Sequence, residues 1–171
     1  MTSLISKKGI LATVLFLMVS LFYGRAQDMR ELMGQALSRL QQPTPEAFLT
    51  CIAELKRIDA MFPDQVAPKY QLALQSLNYA VTNPQAEGLL AEAEQTIDAL
   101  AQLPAADVSD VCTLRGFLYM TRIVQDPARN GQRYYLDVIQ NYEKALKANP
   151  DNALAKQLQE KFNEGMAQAM R

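Results

Sequence analysis

Two hydrophobic regimes divide the chain. The stretch "GILATVLFLMVSLFYG" near the start is an unbroken apolar run, whereas from Asp28 onward apolar residues return only every three or four positions. That second spacing is the signature of helices with one buried stripe, and no segment alternates with the period of two that a half-buried strand requires. The spacing predicts seven helices. "DMRELMGQALSRL" is a short amphipathic opener that stops at "QQPTP". The second helix starts with Thr44 as cap and Pro45 in its first position, and turns Phe48, Ile52, Leu55 and Ile58 inward. Asp64 is the expected cap of a third, with Tyr70, Ala73, Leu77 and Ala80 inward; Asn83-Pro84 repeats the cap-plus-proline start for a fourth, with Ala86, Leu90, Ala93, Ile97 and Leu100 inward. After "LPAAD" a fifth carries Val111, Leu114 and Leu118. The loop "QDPARNG" leads to a sixth with Tyr135, Val138, Ile139, Tyr142 and Ala145, and a polar seventh follows "NPDN". The chain is expected to be all-α.

The unbroken run has a different use. Lys7 and Lys8 precede it, and Gly24 and Ala26 follow as the small residues a signal peptidase reads, so residues 1–26 are expected to be a secretory signal cut between Ala26 and Gln27. The alternative is an uncleaved anchor, although a helical span needs roughly 20 apolar residues and this core is shorter. No cysteine lies near the cut, which argues against lipid attachment. Removal of the signal takes Lys7, Lys8 and Arg25 with it and no acid. The remainder then holds 14 basic and 18 acidic residues, a net charge of −4. A mildly acidic domain is poorly suited to nucleic acid or anionic membrane surfaces. The expected location is the periplasm or the exterior.

Proline falls with a rhythm. "DAMFPD", "ALAQLPAAD" and "KALKANPDN" each set a proline just past an amphipathic helix, near residues 63, 104 and 150. These intervals are somewhat longer than the roughly 34 residues of a tetratricopeptide repeat, and an insertion between paired helices would account for the excess. In "VIQNYEKALKANP", Val138, Tyr142, Ala145 and Pro150 stand where the second helix of such a repeat has small, aromatic, small and proline residues. Small residues let helices approach, the aromatic fills the gap, and proline ends the helix. The partner helix holds Gly116 and Tyr119 in "TLRGFLYM", with Cys112 and Arg115 where the repeat has Trp and Leu. Gly116 lies about ten residues too early for an uninterrupted repeat, so "RIVQDPARNG" reads as the insertion.

From about Phe48 onward the chain resembles exported tetratricopeptide-like proteins of Bacteroidota-type bacteria. The resemblance rests on "RGFLYMTRIVQDPARNGQRYY" followed by "YEKALKANPDNALA", a Gly-aromatic helix running into a Pro-x-Arg-x-Gly-Gln loop and a repeat-type second helix. It implies a short right-handed solenoid of stacked antiparallel helix hairpins, export, and no enzymatic activity. The domain plan is then a signal (1–26), an N-terminal helix and linker (27–44) and a repeat domain (45–171), closed by a polar capping helix rich in Lys156, Gln157, Gln159, Glu160, Lys161 and Asn163.

Composition narrows the chemistry further. With no histidine there is no Ser-His or Cys-His nucleophile pair and no imidazole ligand, and the seven glycines form no phosphate-cradling loop. No cofactor is expected. Cys51 and Cys112 would meet an oxidising compartment, yet they fall on helices that do not touch in a stacked-hairpin array, so two buried thiols are expected ahead of a bridge. Glu94 and Asp98 share a helical face without an apolar wall and are read as solvated, together with Glu87 and Glu92. Met61 and Met120 are read as core, Met166 and Met170 as a sticky surface.

The pointed polar cluster is "DPARNGQRYY". Arg129 and Arg133 flank Asn130-Gly131, Arg122 lies upstream, and Tyr134 follows; arginines beside aromatics suit carboxylate or peptide recognition. The alternative is that these groups order a long loop. Arg122, Arg129, Arg133, Tyr134 and Tyr70 are the candidate binding residues; the expected groove is lined by residues 66–81 and 110–123, with the Arg129–Arg133 loop at its rim. The function that fits is a non-enzymatic scaffold for a protein or peptide partner. Alternatives are a small-ligand carrier or a self-associating envelope protein.

Overall fold

The computed structural model describes residues 27–169; the expected signal segment and its cut lie outside the described residues. Residues 27–38 form α1, which tightens into a 3₁₀ turn over Arg39–Gln41. Then follow α2 (Pro45–Met61), α3 (Val66–Ala80), α4 (Glu87–Ala101), α5 (Val108–Gln125), α6 (Pro127–Ala148) and α7 (Ala153–Ala169). The described residues contain seven α-helices and no strand. Consecutive helices pack as antiparallel hairpins, with α5 against α6 the most extensive pair and with α3–α5 and α5–α7 as next-nearest neighbours.

Local chemistry sets the helix ends, with two departures from expectation. Thr44 caps α2, its hydroxyl accepting from the Ala47 N–H at 3.2 Å with Pro45 in the first turn. Asp107 caps α5 and Asp126 caps α6 in the same manner, through the N–H groups of Asp110 and Arg129. Asp64 does not cap α3, which starts one residue later after Gln65 without a side-chain cap. Asn83 does not open α4 either. Its amide turns back to donate to the Tyr79 carbonyl at 2.7 Å, satisfying an acceptor at the end of α3, and α4 begins only at Glu87.

The larger correction concerns the insertion. "RIVQDPARNG" is not a loop: α5 runs to Gln125, Asp126 alone breaks the chain, and α6 starts at Pro127. Proline is tolerated there because a first-turn residue has no intrahelical N–H bond to lose. Asn130 and Gly131 are helical, and the Asn130 amide donates to the Arg122 carbonyl at 2.8 Å across the break. The ten extra residues therefore lengthen both helices of the hairpin.

Burial falls into two clusters. Met29, Ala36, Cys51, Ile52, Leu55, Ile58 and Leu72 form a smaller one between α1, α2 and α3. The larger runs from Ala73, Leu77 and Ala80 through α4 and α5 to Val138, Tyr142, Leu158 and Phe162. Gly116 explains how α5 and α6 come so close: a Cβ there would lie 2.6 Å from Cε1 of the fully buried Tyr142. Tyr119 stacks on Tyr134, Ala145 is fully buried, and Pro150 follows the end of α6. Two apolar assignments fail. Met61 is 51% exposed at the end of α2, and Tyr135 is exposed on α6, resting against Phe162 with ring centroids 5.8 Å apart. Met120 is buried and lies 3.9 Å from the Tyr142 hydroxyl.

Both cysteines are free. Cys51 is buried and burial pushes its thiol up to about 11, whereas Cys112 is only partly buried.

Candidate functional site

Ion pairs lace the hairpins together. Arg39 meets Glu54 at 2.8 Å, Lys69 on α3 meets Asp59 on α2 at 2.7 Å, Lys56 on α2 meets Glu92 on α4, and Arg115 on α5 meets Asp98 on α4 at 2.8 Å. Most are exposed and worth little individually. One belongs to a built site. Arg122, half-buried on α5, donates from Nη2 to Glu94 Oε2 at 2.6 Å and from Nη1 to the Tyr134 hydroxyl at 3.4 Å. Burial works against its charge, and the Glu94 carboxylate and Tyr134 more than offset that effect, so its pKa is raised.

Tyr134 is the centre of this arrangement. Its ring stacks on Tyr119 at 5.3 Å with a 16° tilt, and the guanidinium carbons of Arg122 and Arg133 lie 5.4 and 5.0 Å from its centroid. Around it opens a cleft of about 620 Å³ between the start of α4 and the α5–α6 junction, lined among others by Pro84, Glu87, Arg122, Arg129, Arg133 and Tyr134. The fold thus brings four of the five candidate residues together. Tyr70 is elsewhere: it packs on the larger core from α3, and burial, with Asp110 nearby, raises its phenol.

The charges in this cleft are unequally committed. Glu94 is held by Arg122, and Asp126 is engaged as the cap of α6. Glu87 sits in the first turn of α4, where the helix dipole favours a carboxylate. Among the described residues the Arg129 and Arg133 guanidiniums enter no ion pair. Both are exposed, one helical turn apart on the opening turns of α6.

A second cleft, of about 450 Å³, shares Pro84 with the first and takes residues 82–86 of the α3–α4 connection into its lining. Leu49, Tyr79, Ala86 and Leu89 give it a mixed, half-apolar lining. The start of α4 therefore stands between a half-apolar recess and a cationic one. Among the described residues no cluster of acids and cysteines could hold a metal ion, and no helix is long and apolar enough to cross a membrane.

Sequence reasoning placed Arg122, Arg129, Arg133 and Tyr134 on one segment, but missed the wall opposite. Glu94 was expected to be solvated and is instead the partner that fixes Arg122; Pro84 and Glu87 come from the same distant helix start. The second cleft was not foreseen either. Its signals were apolar residues outside the inward stripes: Leu49 on α2, Tyr79 on α3 and Leu89 on α4.

No family model matches this chain, and no curated protein matches it. Among solved structures it is similar to the HusA haemophore from Porphyromonas gingivalis, with a TM-score of 0.69 and 28% sequence identity. That likeness covers 78% of this chain and 66% of the haemophore chain.

Proposed function

We propose that this protein is an exported, non-enzymatic carrier of a small planar ligand of the haem class. The observation that carries the reading is the likeness to a haemophore over 78% of the chain. It favours the small-ligand alternative over the protein- or peptide-binding scaffold suggested by the repeat pattern. The paired clefts at the start of α4 support it as well. A porphyrin joins a flat apolar ring to an edge bearing acid groups, and a half-apolar recess beside a cationic one offers both surfaces. Without histidine the chain cannot give haem iron an imidazole; ring burial, the acid edge and a phenol such as Tyr79 are contacts these clefts offer. The leader expected over residues 1–26 fits a protein that meets its ligand outside the cytoplasm.

The test is an absorbance titration of the exported form, from Gln27 onward, with haem. A saturable shift of the Soret band, levelling off at one haem per chain, is expected. A response that only tracks added haem, with no saturation, would remove this reading and restore the scaffold.

A further inference from the structure

We infer that Arg129 and Arg133 form a clamp for the carboxylate edge of the carried ligand, an inference that rests on the carrier reading above. Three observations converge on it. Both guanidiniums face a cleft of about 620 Å³ and enter no ion pair among the described residues; of the three acids lining it, Glu94 is held by Arg122, Asp126 caps α6 and Glu87 stands in the first turn of α4. Second, the two cations sit on the opening turns of a 22-residue helix whose first turn holds no acidic residue. The positive end of the helix dipole disfavours a cation in the first turn, where Arg129 stands, and favours an anion, one of which the cap Asp126 already supplies. Third, the floor is rigid: Tyr134 is held by Tyr119 on one side and by the Arg122–Glu94 pair on the other. Arg133 lies against that ring, which limits the rotamers its fork must give up on binding.

The ligand feature this arrangement fits is a pair of carboxylates, each taken by one planar fork of donors. The whole molecule is acidic from residue 27 on, so the clamp is a local exception and not part of a general anion-attracting surface.

The experiment compares protoporphyrin IX with its dimethyl ester, by fluorescence titration in the same dilute detergent, on wild type, on the double variant Arg129→Ala/Arg133→Ala and on Arg129→Lys/Arg133→Lys. Wild type is expected to bind the free acid about tenfold or more tightly than the ester, the size of one or two charge-assisted hydrogen bonds. The alanine variant should level the two by losing affinity for the acid alone, with the lysine variant between, since an ammonium keeps the charge but not the fork. Circular dichroism should show unchanged helicity and a melting temperature within about 2 °C of wild type, because removing a cation from the α6 start offsets the lost contact to Tyr134. Equal binding of acid and ester by wild type would overturn the clamp and leave the carrier standing. Binding of neither would overturn both. Loss of helicity in the alanine variant would assign the arginines to structure.

Discussion

Gly116 and Tyr142 show how one missing methyl group fixes a helix pair. The Tyr142 ring is fully buried, burial raises its phenol, and among the described residues its hydroxyl has the Met120 sulfur as its one partner. Gly116→Ala would gain about 1 kcal/mol of helix propensity but force that ring to move, at a cost of roughly 1–3 kcal/mol for an overpacked core. The expected result is a lower melting temperature by circular dichroism. Gly165→Ala, within α7 with open space around the new methyl, should raise it, since there the propensity term acts alone. Should both variants shift the same way, the close approach of α5 and α6 is not what Gly116 serves. Thioether sulfur is a weak acceptor, so Tyr142→Phe should cost less than about 1 kcal/mol by the same measurement.

Among the elements, α7 is tied down by a residue whose role the sequence does not advertise. "NPDN" reads as a simple breaker, yet Asn152 accepts from the Ala155 N–H at 3.0 Å and donates to Ser109 Oγ at 2.9 Å and to Asp110 and Thr113 at 3.3 Å. One side chain thus caps α7 and fastens it to the first two turns of α5, where Ser109 and Thr113 are fully buried. Asn152→Ala should therefore cost about 2–3 kcal/mol in urea unfolding, against about 1 kcal/mol for a cap alone, because buried hydroxyls lose a partner too. A loss no larger than that of Thr44→Ala would reduce Asn152 to an ordinary cap. Helix number and the inward faces of α2, α3 and α5 were legible because a 3.6-residue period survives any tertiary arrangement. Helix boundaries were not, and Asn83, Asp64 and "QDPARNG" show the reason. An Asx residue beside proline or glycine has the same chemistry whether it opens a helix, closes one or sits in a turn. The site was half legible for a related reason. Arg122 to Tyr134 span twelve residues and meet through local geometry, whereas Glu94 and Glu87 meet them only through the register of α4 on α5.

For the whole molecule, the two buried clusters imply uneven stability. Only α3 and α4 straddle them: Leu72 and Leu89 pack with the N-terminal cluster, Ala73 and Leu90 with the larger one. Amide hydrogen exchange should be slowest in α5 and α6, whose hairpin is the most extensively packed, and measurably faster in α1 and α2. Uniform protection would mean that the clusters unfold as one unit.

The recess lined by Leu49, Tyr79 and Leu89 draws its walls from α2, α3 and α4, across that same seam. A molecule seated there would be gripped by two parts of the protein that separate at different free energies. Loosening the N-terminal pair of helices would uncover one face of the cargo while α5 and α6 stayed folded. For the carrier role proposed above, release would then be set by a partial opening of α1 and α2 and would not require the whole chain to unfold.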